Sequence, residues 1–437
     1  MLTVAKFGGS SVANTTQFQK VKNIVSSNPL RKVVITSALG KKDKGDSKIT
    51  DLLFLLHAHI KYNVPFDNVF DLIKNRFLKI KSDLNLSFDL DKEFSDLRSK
   101  LTKEISEEFL VSRGEYLTAK ILSEYLGYTF VDAVDLIHFD YNGVINEEKT
   151  TQCVQEAYNK YDKIVIPGFY GAYPNGAIKL FSRGGSDISG AIVAKCVNAT
   201  MYENWTDVSG ILMADPRIID APKRINQITY NELRELSYMG ANVLHEETVF
   251  PVQKANIPIN ILNTNDPENP GTIITENCDD FSQVITGIAG KKHFTSFTIT
   301  KSQTSNKLNV IREVLELFAK YHVSVEHIPS SIDSFSVVVE SGEVEKCIYD
   351  LVSAINKCPD VKNVTVDGDI ALVAVVGRNM VTKPGISGKI FGIIGSKGIN
   401  IKVIAQGPQE LNIIVGVSNS DFEAAIKAIY DNMVINK

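Results

Sequence analysis

The sequence predicts an α/β protein: a mostly parallel sheet sandwiched by helices, followed by two ferredoxin-like α+β repeats. Three observations lead to this prediction. Up to about residue 265, short apolar runs alternate with longer amphipathic ones, which is the pattern of strands and helices in a parallel sheet. A cluster of Pro, Gly and Asn at 263–271 then indicates a turn-rich excursion. Beyond this cluster the hydrophobic pattern occurs twice.

The first part is expected to contain strands at 3–7, 33–36, 129–132, 163–167 and 199–205. Amphipathic stretches between them predict helices at 16–26, 49–59 and 115–126. The segment 66–110 is charged and periodic enough for helices, and we expect it to form an all-α insertion on the sheet.

The repeat appears when the chain is shifted by 76 residues, from Val325 to Ile401. The same shift places 337–339 on 413–415 without a gap. Helical spacing at 308–318, alternation at Val323 and Val325, an apolar run at 337–339 and a second helical pattern at 348–355 predict the order β-α-β-β-α-β. We therefore expect domains at 1–283, 284–367 and 368–437, and the strand near 284–290 is a candidate to pack with the second repeat.

Composition excludes several classes of protein. The 437 residues are 44% hydrophobic and 22% charged, and 47 Lys and Arg against 51 Asp and Glu give a net charge of −4. A nucleic-acid binder would normally carry a basic excess. Five widely spaced cysteines without C-x-x-C argue against a disulfide framework or a zinc site, and favour a reducing compartment. No apolar run approaches the roughly 18 residues that span a bilayer, so we expect a cytoplasmic protein.

The first candidate for chemistry is K-F-G-G-S-S at 6–11, at the end of the first strand. Gly8 and Gly9 would let the backbone approach a bulky anion with its N–H groups, and Lys6 adds a charge suited to a phosphoryl group. The motif is neither a Walker A loop nor G-x-G-x-x-G. A tight β-to-α turn with no ligand explains the two glycines equally well.

A second glycine-rich loop, S-R-G-G-S-D at 182–187, opens another predicted helix. Arg183 could bind a carboxylate with two hydrogen bonds, and Asp187 could cap the helix. A surface ion pair is the alternative for Arg183. Asp207, in T-D-V-S-G at 206–210, ends a strand, where ligands of open α/β sheets collect. The D-P-R at 215–217 that follows could equally be only a turn.

Two classes of hydrolase lack support. The seven histidines form no H-E-x-x-H, and His57 and His59 lie on different sides of a predicted helix. No G-x-S-x-G occurs either. Metalloproteases and serine hydrolases are therefore not indicated.

Taken together, these motifs closely resemble those of the aspartate kinases of the amino-acid kinase superfamily. S-R-G-E at 112–115 and G-A-N-V-L-H at 240–245 extend the likeness, and the paired repeats look like ACT domains. The resemblance implies transfer of the γ-phosphoryl of ATP to the side-chain carboxylate of L-aspartate. A carboxylate with a pKa of about 3.9 is already an anionic nucleophile at neutral pH and requires no general base.

The resemblance also implies a role for individual residues. Lys6, Asp207 and Arg183 would be catalytic, with Asp207 positioning Lys6. The nucleotide would be bound by Lys6, Gly8, Gly9, Ser10, Thr206, Asp207, Leu212, Arg217 and Asn242. Aspartate would be bound by Ser37, Thr50, Glu115, Phe169, Arg183, Gly184, Gly185 and Ser186, with Arg183 on its α-carboxylate and Glu115 on its α-ammonium. Mg²⁺ would arrive with ATP, held largely by phosphates and water.

Two positions depart from the family pattern. Many members have lysine at Asn242, and an aromatic residue is common at Leu212. Because asparagine keeps a donor but lacks the charge, Lys6 and Arg217 would carry more of the electrostatic attraction for ATP.

The ACT repeats imply feedback control by an amino acid, with lysine favoured over threonine, and a homodimer through the ACT domains, with a tetramer as a further option. The candidate effector residues are Asn309, Val325, Glu326 and Ser331. Glu326 could pair with a cationic effector, or be a plain exposed carboxylate on a strand.

Two alternatives stay open: another amino-acid kinase such as acetylglutamate or glutamate 5-kinase, and an inactive amino-acid sensor. The duplicated tail and the pairing of Arg183 with Glu115 argue against the first. The retained Lys6, Arg183 and Asp207 argue against the second.

Overall fold

The computed structural model describes residues 1–43, 45–182, 184–241, 244, 246–278, 283–302 and 307–435. These residues form two compact units, each assembled from more than one stretch of chain. The first comprises Met1–Ile211, Asn226–Tyr230 and Val243–Cys278, and the second comprises Leu212–Ile225, Asn231–Asn242 and Asp279–Lys437. The predicted boundaries after 283 and 367 stay predictions.

Ten strands and nine helices are described between the amino terminus and residue 275. The strands are β1 (Thr3–Phe7), β2 (Arg31–Thr36), β3 (Thr129–Phe130), β4 (Ile164–Pro167), β5 (Tyr170–Ala172), β6 (Ile178–Leu180), β7 (Met201–Thr206), β8 (Gln227–Thr229), β9 (Ile259–Asn263) and β10 (Thr272–Thr275). The helices are α1 (Thr15–Ser27), α2 (Ile49–Lys61), α3 (Asp67–Asp83), α4 (Leu90–Ser99), α5 (Glu107–Leu126), α6 (Glu147–Tyr161), α7 (Gly185–Cys196), α8 (Tyr230–Tyr238) and α9 (Glu246–Lys254).

Eight of these strands form one sheet in the order β3-β4-β2-β1-β7-β9-β10-β8. All its neighbours are parallel except β9 and β10, which confirms the predicted mostly parallel sheet. The central strands β1 and β2 are almost wholly buried, as expected where helices cover both faces. Strand β3 stops at Phe130, two residues before the predicted end. The Asp132 side chain accepts a hydrogen bond from the Val134 N–H and begins a short 3₁₀ helix instead.

The predicted all-α insertion is confirmed as α3, α4 and the start of α5. Its apolar residues, among them Phe70 and Phe77, join one core cluster with Leu53 and Leu56 of α2. Helix α5 is 20 residues long because Ser106 caps its start through the Phe109 N–H, and a left-handed Gly127 ends it.

The second unit contains an antiparallel sheet with helices. Its strands are β11 (Gly287–Lys301), β12 (Ser334–Glu340), β13 (Val361–Val376), β14 (Val403–Gln406) and β15 (Asn412–Val417). Its helices are α10 (Lys307–Lys320), α11 (Ser341–Val344), α12 (Ile348–Asn356), α13 (Ile386–Ser396) and α14 (Phe422–Tyr430). The strand order is β12-β11-β13-β15-β14. Most of α8, from Asn231 onward, also belongs to this unit.

Two long strands, β11 and β13, run through both halves of this sheet. The first part of β11, Gly287 to Lys291, pairs with Val376 to Leu372 of β13. After a register shift, the second part of β11 pairs with the first part of β13 and with β12.

The strand predicted at Val323 and Val325 is wrong. Helix α10 ends with His322 in the left-handed region (φ 57°) and the Val323 N–H donating to the Phe318 carbonyl at 3.0 Å. This closes the helix end and directs Val323 into the core. Between the end of α10 and the start of β12, the described residues form only isolated bridges, from His327 to Val338 and from Ser330 to Phe335. The counterpart 76 residues later is β14, which also starts after the predicted position.

Among the residues that the structure describes, no helix has the length and apolar character needed to cross a membrane.

Candidate functional site

The candidate site lies where the parallel strands β1, β2, β4 and β7 end in the first unit. Because carboxyl ends of parallel strands meet at one sheet edge, the loops that follow them are neighbours. Those loops hold Gly8 and Gly9 after β1, Ser37 to Gly40 after β2, Gly168 and Phe169 after β4, and Asp207 after β7.

The centre of this edge is an ion pair between the buried Lys6 and the half-buried Asp187. Lys6 is 6% exposed on β1, and its Nζ contacts the Asp187 carboxylate. The neighbouring strand β7 places Asn204 beside Lys6 in register. The Asn204 Nδ2 donates to Asp187 Oδ1 at 3.0 Å, and its Oδ1 accepts from Lys6 Nζ at 3.5 Å. The ammonium is therefore fixed by two side chains from different elements.

This geometry corrects the expected role of Asp187. The sequence suggested a helix cap, but the cap position of α7 is Gly184, with φ at 74° and no side-chain cap hydrogen bond. The Asp187 carboxylate instead faces Lys6 across 181 residues of chain. Asp207, expected to position Lys6, is exposed and accepts a hydrogen bond from Thr206 Oγ1 at 3.1 Å.

The glycine pair after β1 packs closely against the loop after β2. A Cβ on Gly40 would lie 2.5 Å from the carbonyl carbon and oxygen of Gly9, and the Gly40 N–H donates to that oxygen at 2.9 Å. The Gly8 N–H donates to the Trp205 carbonyl at 2.9 Å. A Cβ on Gly8 would also lie 3.5 Å from Lys6 Nζ. The glycines thus keep two loops in contact and leave space beside the ammonium.

Glu115, on α5, is a buried carboxyl facing the loop after β2. It is 4% exposed, and its Oε2 has no hydrogen-bond partner among the described residues. Burial raises the pKa of Glu115 to about 8, opposed by a hydrogen bond from the Ala38 backbone and by the charge of Arg113. Ionising a buried carboxyl without a partner costs free energy unless a cation neutralises its charge. The ammonium group of a ligand would supply such a cation.

The loop after β4 meets the start of α7. Phe169 has φ at 80°, and its N–H donates to Ser189 Oγ at 3.0 Å. A Cβ on Gly168 would lie 2.7 Å from the Cβ of Ser186, and one on Gly185 would lie 2.5 Å from the Phe169 ring. The sequence-predicted Phe169, Gly185 and Ser186 are therefore in contact.

The remaining predicted residues of this unit lie on the same loops. The Ser37 N–H donates to the Phe7 carbonyl at 3.1 Å, Thr50 is the second residue of α2, and Ser10 lies in the 3₁₀ turn Gly9–Val12. Thr206 is the last residue of β7.

Four predicted residues are not placed at this edge. Arg183 and Asn242 lie outside the described residues. Leu212 and Arg217 belong to the second unit. There the Arg217 guanidinium pairs with Asp215 at 2.6 Å, which lowers the pKa of the Asp215 carboxyl.

The candidate effector residues occupy helix α10 and the irregular segment after it. Asn309 is exposed on α10, and the Ser331 N–H donates to the Ser334 carbonyl at 2.8 Å. Glu326 is half-buried, and its carboxylate accepts a hydrogen bond from the Tyr238 hydroxyl of α8. Burial and this contact raise the pKa of Tyr238. Glu326 is therefore neither on a strand nor a plain exposed carboxylate.

Sequence reasoning missed Asn204 and Gly40. Glu203 and Asn204 are adjacent polar residues in the strand segment M-Y-E-N-W-T, whose middle four residues are buried, and this polar pair was a usable signal. Gly40 gave no signal in the sequence. It must be glycine because a Cβ there would collide with the backbone of Gly9, which is far away along the chain. No group of three or more His, Cys, Asp or Glu side chains able to hold a metal ion occurs in the described part of the chain.

Comparisons with known proteins agree with this architecture. The profile described as the amino acid kinase family matches residues 1–263, and an ACT domain profile matches 373–433. Aspartokinase 3 of Bacillus subtilis (strain 168) is 32% identical over 444 residues, which cover 98% of each chain.

Solved structures show the same fold. The crystal structure of Clostridium acetobutylicum aspartate kinase is 46% identical with a TM-score of 0.94, over 99% of this chain and 100% of that one. E. coli aspartokinase III, in complex with aspartate and ADP, is 24% identical with a TM-score of 0.75, over 99% of this chain and 100% of that one, and shares the fold.

Proposed function

The chain belongs to the amino acid kinase family and, within it, to the aspartokinases with C-terminal ACT domains, and from that premise we propose the reaction and the residues that perform it. This ATP-dependent kinase transfers the γ-phosphoryl of ATP to the side-chain carboxylate of L-aspartate and gives 4-phospho-L-aspartate and ADP. The Lys6–Asp187 pair carries the proposal, because it joins the end of β1, just before the glycine pair, to the first turn of α7 at one sheet edge.

The chemistry needs positioning and charge neutralisation. The aspartate carboxylate is ionised at neutral pH and attacks without a general base. The two reactants are both anions, so the site must hold them in line and stabilise the charge on the moving phosphoryl group. A buried lysine, whose charge is weakly screened, does this more effectively than an exposed one.

On the nucleotide side, Lys6 contacts the β- and γ-phosphates, supported by its fixed position between Asp187 and Asn204. Asp187 positions Lys6, a role that the contacts favour over Asp207. Gly8, Gly9 and Ser10 border the phosphates, with Thr206 and Asp207 at the end of β7. The nucleotide contacts of Leu212, Arg217 and Asn242 stay predictions from the family resemblance. ATP enters as its Mg²⁺ complex, with the ion held by phosphate oxygens and water.

On the aspartate side, Glu115 binds the α-ammonium, supported by its burial and its unpartnered oxygen. Arg183 binds the α-carboxylate. The rest of the pocket is formed by Ser37, Thr50, Phe169 and the backbone of Gly184–Ser186, and the contacts of Gly168 and Phe169 with the start of α7 support this set.

The ACT repeats give feedback control, with lysine as the proposed effector at Asn309, Val325, Glu326 and Ser331. The Clostridium acetobutylicum enzyme is described as allosteric, which supports regulation of this chain. The reaction would be the first step of the lysine, threonine and methionine branch, in the cytoplasm, in a homodimer through the ACT domains or a tetramer.

One assay separates the catalytic alternatives. ADP formation is measured with aspartate, acetylglutamate or glutamate, and the acyl phosphate is trapped with hydroxylamine. We expect hydroxamate only with aspartate, and its loss in Lys6→Ala and Arg183→Ala. Product with acetylglutamate or glutamate would assign another amino-acid kinase, and no product with any acceptor would favour a sensor.

The effector is tested by repeating the assay with lysine or threonine. We expect inhibition by lysine that weakens in Glu326→Gln, because the carboxylate would pair with the effector ammonium. Lysine binding without a change in rate, or inhibition by threonine alone, contradicts the proposed effector.

A further inference from the structure

A buried arginine of the helical insertion contacts the loop that borders the candidate site. Arg76 lies on α3 between Ile73 and Phe77, in the apolar core, and is 3% exposed. Burying a guanidinium is costly unless hydrogen bonds and an opposite charge compensate it. A methionine would fill similar space without the free-energy cost of burying a charge. Packing alone therefore does not explain an arginine at this position.

The compensation comes from the segment 40–48 between β2 and α2, of which the structure describes residues 40–43 and 45–48. The Arg76 Nη2 donates to the Gly40 carbonyl at 2.5 Å, and its Nη1 donates to the Ser47 carbonyl at 2.6 Å. Asp46 pairs with Nη2 at 3.2 Å, and also accepts the Lys42 N–H at 2.9 Å. One side chain therefore contacts both ends of a segment whose described residues, 40–43 and 45–48, form no helix or strand.

The far side of this segment is the site itself. The Gly40 N–H donates to the Gly9 carbonyl. Two residues earlier, the Ala38 backbone forms a hydrogen bond with the Glu115 carboxyl. The segment is followed by α2, whose second residue is Thr50. A displacement of Gly40 would therefore move groups on both the phosphate side and the ammonium side.

We propose that Arg76 is a positioning residue, which holds the segment 40–48 in the shape that both substrates need. The helical insertion thereby becomes part of the site through one side chain. This inference rests on the proposed function for its kinetic consequence, but its structural consequence does not depend on activity.

Kinetics with Arg76→Met test the first consequence. Since a shift of about 1 Å in a positioning group can cost up to about 100-fold, we expect kcat/KM for aspartate and for ATP to fall by about 10- to 100-fold. Arg76→Lys should lie between this variant and the wild type, because one ammonium cannot serve both carbonyls. Arg98→Met is the matched control: Arg98 lies on α4 of the same insertion and pairs with Asp67 at the surface, and its loss should leave both constants unchanged.

Trypsin cleavage tests the second consequence. The segment contains lysines at 41, 42, 44 and 48, and mass spectrometry reports how fast each is cut. We expect faster cleavage there in Arg76→Met and not in Arg98→Met. If Arg76→Met does not fold, Arg76→Lys is used for both measurements.

Substrate constants and cleavage rates equal to wild type, even with a lower melting temperature, would show Arg76 to be structural only and overturn the proposal. Absence of wild-type aspartate kinase activity would contradict the proposed function instead, and the cleavage rates would still decide the role of Arg76.

Discussion

The Lys6–Asp187 pair lies at the edge where β1 ends, and the proposed function gives it a role in catalysis as well as in stability. Removing one partner leaves the other charge buried, which costs about 3–5 kcal/mol for a buried pair. We expect Asp187→Asn to lower kcat by about 100-fold or more and to lower the melting temperature, since Lys6 loses its fixed position. Steady-state kinetics and thermal unfolding measure the two effects.

The control for this prediction is Lys74→Met, which breaks the exposed pair between Lys74 and Asp91. Exposed pairs contribute little to stability, so activity and melting temperature should stay near wild type. A fully active Asp187→Asn enzyme would show that Lys6 needs no partner.

Glu115 gives a prediction about pH. Its pKa is about 8 in the folded protein against 4.5 ordinarily, so the folded state retains a proton that the unfolded chain releases. Stability of the free protein therefore decreases as pH rises from about 4.5 to about 8, and this contribution is then constant. Glu115→Gln should remove this part of the pH dependence, measured by denaturant unfolding at several pH values.

The same carboxyl must be ionised to bind an ammonium group. At pH 7 aspartate binding should therefore release close to one proton, because the cation lowers the pKa of Glu115. Calorimetry in two buffers of different ionisation enthalpy counts the protons. A count of zero in the wild type would remove Glu115 from the ammonium site.

Part of the arrangement at this edge could be predicted from single residues. A motif at the end of a strand identified Lys6 and the glycine pair, and the family resemblance supplied Glu115 and Ser186. The structure places all of them near one sheet edge, and their roles stay predictions. The partner of Lys6 was missed since a residue in the first turn of a helix has a local explanation as a cap. Only the three-dimensional register of β1 and β7 reveals that Asp187 and Asn204 face the ammonium.

At the scale of elements, the contact between the end of β4 and the start of α7 sets the position of Ser186. Gly168→Ala would place a Cβ 2.8 Å from the Ser186 Cα, so the backbone must move. We expect kcat/KM for aspartate to fall by about 10- to 100-fold, with the circular dichroism spectrum retained.

Gly388→Ala is the matched control, because the new Cβ would have nothing within 4 Å. It lies inside α13, where alanine is the better helix former, so stability should be equal or slightly higher and activity unchanged. Equal kinetics for both glycine variants would show that the site tolerates movement of α7.

The element that prediction misplaced was the strand after α10. Alternating valines at 323 and 325 satisfy the strand pattern, but a helix end also buries an apolar residue just beyond its last turn. Over residues 323–325 the pattern of a strand and the pattern of a helix end are the same. The left-handed conformation of His322 shows that the helix end is the correct interpretation. Longer periodic segments, such as α2 and α10, were predicted to within two residues at each end, because tertiary contacts have less influence on them.

At the scale of the molecule, a buried ion pair holds α8 within the second unit. Glu232 of α8 is fully buried and accepts two hydrogen bonds from the Arg378 guanidinium, at 2.8 and 3.1 Å. Arg378→Met should lower the free energy of unfolding by about 3–5 kcal/mol, since the buried Glu232 carboxylate loses the two hydrogen bonds from the guanidinium. Denaturant unfolding measures this loss.

The double variant Glu232→Gln, Arg378→Met should lose less than the sum of the two single variants. Lys292→Met, which breaks an exposed pair with Glu423, serves as control. Additive losses in the double variant would mean that the two residues do not stabilise each other.

The duplication was predicted from hydrophobic spacing, and the strand near 284–290 was named as a candidate to pack with the second repeat, but the register of these strands could not be predicted. Spacing reports which residues of a strand are buried, whereas the partner of each residue depends on the register across the sheet. The shift in β11 between Lys291 and Phe294 gives no signal in the sequence.

The pairing of β11 with β13 nests most of the first repeat inside the second: residues 287–291, at the start of the predicted first repeat, pair with residues 372–376 of the second. No single cut in the chain can therefore excise either repeat cleanly. Deleting all residues after 367 would remove the β13 partner of Ile288 and its neighbours. These apolar residues would then form an exposed sheet edge, which favours aggregation. A feedback-free enzyme is better sought by point substitution than by truncation.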